Sequence, residues 1–420
     1  MISFIILLTL LSLLVPVYVY IGYPLLLAVL GKFLQGKPVD KCDIFPTVSL
    51  IVSCYNEKDV IEEKIHNCMS LDYPKDKLQI LFVSDGSDDG TDDVIKQFTS
   101  ERFSLIRQEG RQGKTSGLNL AMPKCLGEIV VFSDANAIYE PNAIRMLVRN
   151  FHDTGVGYVV GAALYRDENE NSAGLSESLY WQYEIFIKKL ESKLHSVVGG
   201  DGAIYAIRKF LYETLDQEDI NDFVNPLHII SKGYRGVFDT DAICYEQTAG
   251  DFDREGLRKQ RIVNRSFTGL MKYKTVLNPL KFGLYSLELM SHKLLRWLIP
   301  FFVIFGGAGV FILAQMQILF FQYCLLIGIV FVWFILLGIL LRNKPDSPSY
   351  LLYPYYFYLV NINSLIGVIM SLCGKVQVTW NTPRVDHDSS NNINLTSSVA
   401  YISILTLTIL IFTYTLRKIN

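Results

Sequence analysis

"VVFSDANAIYEP", residues 130–141, runs from a β-branched stretch into an acidic turn. Val130, Val131 and Phe132 have the composition of a buried strand, and Asp134, Ala135 and Asn136 follow where that strand must end. A carboxylate and an amide two positions apart, at the mouth of a strand, are placed to hold a ligand. Three upstream runs repeat the pattern. "VSLIVSC" (48–54) leads to Tyr55-Asn56-Glu57, "LQILFVS" (78–84) to "SDGSDDGT" (84–91), and "FSLIRQ" (103–108) to "RQGKTSGLN" (111–119). Helical patterns separate these runs, near residues 60–71, 91–100, 115–123 and 141–150. Short strands alternating with helices predict an α/β fold, a mostly parallel sheet covered on both faces. Ligands of such sheets bind at the carboxyl ends of the strands. Each turn alone is ordinary bend chemistry, because Asp, Asn and Gly favour turns. Polar turns in register at one rim of a single sheet predict a site.

Half of the 420 residues are hydrophobic, yet 19% are charged, a mixture that predicts a soluble domain joined to membrane spans. The net charge of −2 provides no basic footprint, so nucleic acid is not an expected partner. The cysteines, at 42, 54, 68, 125, 244, 324 and 373, show no metal-type spacing and read as reduced, packed thiols.

Residues 1–31 carry no charge and are long enough for a membrane-spanning helix. Lys32, Lys37 and Lys41 follow at once, which predicts a cytoplasmic side there and an N-terminus outside. Residues 32–275 form the expected soluble domain and 276–296 an expected amphipathic interface helix. Residues 297–341 read as two spans broken near Gln315–Gln317, closed by Arg342 and Lys344. The segment 347–374 holds Pro354, Asn361 and Asn363, and reads as a transmembrane or a re-entrant helix. A polar linker (375–397) and a last span (398–416) complete a multi-pass reading that keeps the soluble domain in the cytoplasm and in contact with the bilayer.

"VSLIVSCYNE", "VSDGSDDGT", "RQGKTSGLNLA" and "FSDANAIYEP" together resemble the donor half of family 2 glycosyltransferases with the GT-A fold. With the flanking spans, the chain looks like the membrane-embedded, cellulose-synthase-like branch that includes hyaluronan, chitin and cellulose synthases. The resemblance implies an inverting enzyme that moves sugar from a UDP-sugar to a growing polysaccharide, or to a lipid-linked acceptor. It implies Asn56 and Glu57 beside the nucleotide, Asp85 on the base or ribose, and Lys114 in the uridine pocket. Asp134 matches the first acid of the family's DxD motif. Asn136 stands where the second acid would be, so the implied Mg²⁺ or Mn²⁺ site holds one carboxylate and one amide oxygen. Hard divalent cations bind through one or two carboxylates plus substrate phosphates, and this pair fits that partial shell.

The same resemblance extends to the acceptor half. "VVGGDGAIYAIRK" (197–209) is similar to the floor of the family's acceptor pocket, which implies Gly200, Asp201 and Gly202 there. "QEDINDFVNPLHIISKGYRGVF" (217–238) resembles the segment with the general base. Asn221-Asp222 matches the acidic pair, so Asp222 is the expected base, with Glu218 and Asp219 as nearby competitors. Glu246 matches a further acidic position without a stated role. In "REGLRKQRIVNRS" (254–266), Arg258, Arg261 and Ile262 fall on the Q-x-x-R-W motif of processive members. This makes Arg261 the expected diphosphate clamp, with Arg265 one turn on, and removes the sugar-stacking Trp. Trp181 and Trp380 are the remaining aromatic candidates for the acceptor.

Overall fold

A computed structural model of the chain describes residues 1–34, 36–166, 172–247, 252–342 and 347–379. Its centre is one eight-stranded sheet: β1 (Val48–Cys54), β2 (Leu78–Ser84), β3 (Phe103–Arg107), β4 (Ile129–Asp134), β5 (Ile138–Tyr139), β6 (Val156–Arg166), β7 (Tyr205–Arg208) and β8 (Arg235–Gln247), ordered β3-β2-β1-β4-β7-β6-β8-β5. Strands β3, β2, β1 and β4 are parallel, and β7 pairs antiparallel with both β4 and β6. Cys54 lies opposite Ser84 and Ser53 opposite Asp134, so the turns after β1, β2 and β4 emerge at one rim. The expected sheet and its helical cover are present.

Alternate residues of β1 feed opposite faces, as strand geometry requires. Leu50 and Val52 pack with Ile61, Ile65 and Cys68 of the Lys58–Met69 helix on one side. Ile51 belongs to the other layer, with Leu118, Phe223, Val263, Phe267 and Trp297. That second layer includes residues of the Phe252–Lys272 and Leu284–Gln315 helices, so the domain core runs directly into the apolar helices. All seven cysteines are free.

Among the described residues four helices are long and apolar enough to cross a membrane: Ile2–Phe33, Leu284–Gln315, Leu319–Leu341 and Tyr350–Leu372. Residues 276–296, expected as one amphipathic helix, are broken. Asn278 caps a single turn at Pro279–Phe282, Gly283 ends it at φ +56°, and a helix then runs unbroken from Leu284 to Gln315. Pro279 and Gly283 punctuate the stretch. Within this helix His292 lies between Glu184 (3.0 Å) and Glu191 (2.7 Å), and Arg296 pairs with Glu184. The carboxylates belong to the Ser172–Leu194 helix, so a buried ionic joint docks the apolar helices on the domain.

The Ser349–Leu372 helix lies along the Phe252–Lys272 helix. Tyr355 packs on Phe252, Gln260 reaches Met370, and Thr268 bonds Ser371. Beyond its end, the backbone of Lys375 and Gln377 bonds the side chain of Asn264. The expected final span and Trp380 lie outside the described residues.

Candidate active site

The rim turns are stitched to one another before they meet anything else. Asn56 sits at φ +52°, a left-handed conformation that Asn tolerates, and exchanges two hydrogen bonds with Asp88. Glu57 begins the Lys58–Met69 helix, and its N–H donates to Thr91 Oγ1. The buried Asp85 carboxylate accepts from the N–H groups of Gln112 and Gly113 and from Gln108 Nε2. Of the donor-side candidates, Asn56 and Asp85 thus hold the loops that shape the rim. Asp85 also fixes the start of the Lys114–Ala121 helix, and Lys114 reaches the centre from there.

At that centre Lys114 Nζ pairs with Asp134 Oδ1. The loop 199–202 brings Gly202 against both. A Cβ added at Gly202 would lie 3.3 Å from Asp222 Oδ2, 3.4 Å from Asp134 Oδ2 and 3.4 Å from Lys114 Nζ. Groups far apart in sequence therefore face one small volume. Burial raises the Asp222 carboxyl above its ordinary value, Asp201 and Asp134 push the same way, and Lys114 and Arg265 oppose.

The competing acids are committed elsewhere. Asp219 pairs with Lys272, and Glu218 is exposed. Asp201 pairs with Lys188 at 3.1 Å. Gly200 backs onto Asp222, its N–H bonding the Asp222 carbonyl.

The two arginines of the Phe252–Lys272 helix separate cleanly. Arg265 donates to the carbonyls of Gln217, Glu218, Asp219 and Val378 and to Thr115 Oγ1. It clasps the loop before Asp222, which commits most of its donors there. Arg261 makes no hydrogen bond or ion pair among the described residues. Burial and the neighbouring Arg265 and Arg258 lower it to about 10, against the pull of Asp134 and Asp222, and it stays a cation at neutral pH. A half-buried, unpaired guanidinium beside two carboxylates is suited to an anionic ligand.

The Asn136 side chain likewise has no hydrogen-bond partner among the described residues. Asp134 Oδ2 and the Asn136 amide oxygen are hard oxygen donors, which fits a magnesium-type ion as part of a shell. No group of three or more His, Cys, Asp or Glu among the described residues could hold a metal alone, so a ligand must complete such a shell. Trp181 donates its indole N–H to the Ala163 carbonyl, stands edge-on to Tyr165 at 5.6 Å and receives Lys188 over its ring. The same Lys188 pairs with Asp201.

Two further residues escaped the sequence. Lys64, wholly buried, donates to Ser133 Oγ (2.8 Å) and the Ala137 carbonyl, bracing the Asp134 turn from below. A lysine on the apolar stripe of Ile61, Ile65 and Cys68 was its visible signal. Tyr205 accepts from Asn221 and Asn225, and no local pattern marked it.

The glycosyl transferase family 2 model matches residues 49–216. The chain is 25% identical over 238 residues to a poly-beta-1,6-N-acetyl-D-glucosamine synthase of Staphylococcus aureus (strain MSSA476), covering 54% of this chain and 56% of that protein. It is 28% identical over 216 residues to the probable glycosyltransferase YdaM of Bacillus subtilis (strain 168), covering 48% and 51%. The chain thus spans about half the length of the curated relatives it matches. Its fold is similar to that of the mannosyltransferase PcManGT from Pyrobaculum calidifontis, solved in complex with GDP-Man and Mn²⁺. The TM-score is 0.64 at 23% identity, over 88% of this chain and 99% of that one. The sheet is GT-A-like.

Proposed function

We propose, from the premise that this chain carries a glycosyl transferase family 2 domain, that it transfers a sugar from a UDP-sugar to an acceptor hydroxyl with inversion at C1. The observation that carries this reading is the convergence of Asp134, Asp222 and Lys114 on Gly202. Asp222 takes the proton of the acceptor hydroxyl as its oxygen attacks C1. The bond from C1 to the phosphate oxygen breaks on the opposite side, UDP leaves, and a β-linkage forms. A carboxylate raised by burial towards the working pH is a better base than an ordinary one. Lys114 and Arg261 provide fixed positive charge for the departing diphosphate. Asp134 and Asn136 would hold a Mg²⁺ or Mn²⁺ ion, which neutralises diphosphate charge when bound.

The apolar helices support a site beside a bilayer, and the lysine and arginine pattern supports its cytoplasmic face. The similarity to a polysaccharide synthase supports a polysaccharide product, which the apolar helices would export. A second reading, transfer of one or a few sugars to a lipid-linked acceptor, draws on Ile262 and on the packed Trp181, which leave the described site without a free Trp platform.

The test is UDP release by the purified chain in liposomes, with UDP-glucose, UDP-GlcNAc, UDP-glucuronate and UDP-galactose offered in turn. At least one donor is expected to give acceptor-dependent release that Asp222→Asn abolishes while UDP binding persists. Full transfer by Asp222→Asn would remove the base from this scheme. Product length on a sizing gel decides between the acceptors.

A further inference from the structure

We propose that Tyr205 is a positioning residue that fixes the Asp134 and Asp222 carboxylates relative to each other. The inference rests on the reading of Asp222 as general base and adds a second tier to it. Tyr205 opens β7, fully buried, and its ring stacks on Phe132 with centroids 4.6 Å apart and planes at 17°. The two are register partners across the β4–β7 pair. Phe132 precedes Asp134 by two residues on β4, so the ring is seated on the strand that presents the donor carboxylate.

The hydroxyl binds the other side. It accepts from Asn221 Nδ2 at 2.8 Å and from Asn225 Nδ2 at 3.1 Å. Both amides lie in the first turns of the Asn221–Ser231 helix, one turn apart on one face. Asn221 is the immediate neighbour of Asp222. From the opposite direction Gly200 closes on the Asp222 carbonyl. A Cβ there would stand 2.7 Å from that oxygen and 3.3 Å from Tyr205 Cγ, so the loop can shut only over glycine. One phenol oxygen therefore joins the helix that carries the base to the strand that carries Asp134.

Stability alone does not account for this trio. Two buried amides share a single hydroxyl, and Asn225 Oδ1 has no partner among the described residues. An apolar set of the same shape would avoid that unpaired oxygen at little or no cost. What an apolar set lacks is direction. A hydrogen bond fixes where the start of the helix sits, and base geometry is sensitive to that.

Tyr205→Phe keeps the ring stack and removes the pin. A misplacement on the order of 1 Å can cost about 100-fold in rate. The expected result is a kcat roughly 10- to 100-fold lower, with the donor KM within about threefold, because the interaction serves the reacting geometry and not ground-state binding. The melting temperature is expected to fall as well, since two amides lose their acceptor. A double variant, Tyr205→Phe with Asn221→Leu, removes one stranded amide and is expected to regain part of that melting temperature without regaining kcat. A wild-type kcat in Tyr205→Phe, or a kcat that returns with stability in the double variant, overturns the inference. If Tyr205→Phe cannot be purified, Asn221→Leu alone carries the same expectation of lowered kcat and held KM, and an unchanged kcat overturns it. A wild-type chain that transfers no sugar from any donor overturns the reading of Asp222, and this inference with it. An active wild type with an unaffected Tyr205→Phe overturns the inference alone.

Discussion

Gly202→Ala places a methyl group at the point where the charged side chains meet. Its carbon would lie 3.3 Å from Asp222 Oδ2 and 3.4 Å from Asp134 Oδ2 and Lys114 Nζ. These contacts are tight but not forbidden, and each neighbour is the end of a side chain that can yield by a few tenths of an ångström. The residue does not occupy the left-handed region, so alanine brings no backbone strain. Gly→Ala at a compatible position gains about 0.4–1 kcal/mol by restricting the unfolded chain, which offsets part of the crowding. The net stability change is expected within about 1 kcal/mol, a melting shift of roughly 2–4 °C for a domain of this size. Activity should respond quite differently. The methyl occupies space that a reacting sugar needs and screens the carboxylates and the ammonium from it. Hydrogen bonds to charged groups are each worth about 1.5–3 kcal/mol, so losing one lowers kcat/KM by at least about 10-fold and losing two by at least about 100-fold, at 1.36 kcal/mol per decade. The assay is UDP release against donor concentration, alongside a thermal melt of the same preparation. A variant that melts like the wild type and turns over within threefold of it would show that no substrate atom approaches Gly202, and the proposed site would be misplaced.

The arginines provide a paired test. Arg261→Ala is expected to raise donor KM or lower kcat with little change in melting, whereas Arg265→Ala strands several carbonyls and should cost on the order of 3 kcal/mol, roughly 6–12 °C; equal melting losses would refute the division of labour. The pH profile of kcat/KM should fall on its acid side as Asp222 is protonated, with a midpoint above the ordinary 3.8 because burial raises this group. Lys114 opposes that rise, so Lys114→Met should move the acid limb to higher pH, and a move to lower pH would contradict the electrostatics. Chelation with EDTA is expected to stop transfer and Mn²⁺ or Mg²⁺ to restore it; an unchanged rate in EDTA would leave Lys114 and Arg261 as the only counter-charges.

The donor half of the sheet was legible because its signals are local. An apolar run fixes a strand, and Gly, Asp and Asn at its end fix a turn, so β1, β2 and β4 and their shared rim follow from short windows. The second half was not read as strands. β6, β7 and β8 mix antiparallel and parallel pairing, and the turns before them, at 153–155, 199–202 and Gly233, do not tell which strands they join. The convergence on Gly202 came from resemblance, since nothing in the spacing of Asp134 and Asp222 requires them to meet. Arg261 and Arg265 are four residues apart on one helix, and only the carbonyls of 217–219, delivered by a distant loop, decide which of them is consumed. Residues 276–296 failed in the opposite way. Their punctuation is visible, and the turn that Pro279 opens and Gly283 ends breaks a helix across this stretch.

Two amides, Asn136 and Asn221, stand where the resemblance would place acids, and their consequences differ. Of the carboxylates near the hollow, Asp85 is spent on backbone, Asp201 on Lys188 and Asp219 on Lys272. Asp134 and Asp222 remain, against Lys114 and Arg261, so the hollow is close to neutral before any ligand arrives. The proposed nucleoside diphosphate would then add negative charge that the side chains alone do not cancel, and one divalent cation would restore the balance without a second acid at 136. At 221 the requirement is different. There the amide donates to Tyr205 Oη, whereas a carboxylate could only accept, from the Tyr205 O–H. An acid at 221 would also put like charge next to Asp222 and push its proton affinity higher still. The amide bonds Tyr205 and leaves Asp222, the proposed base, as the lone carboxylate of the pair.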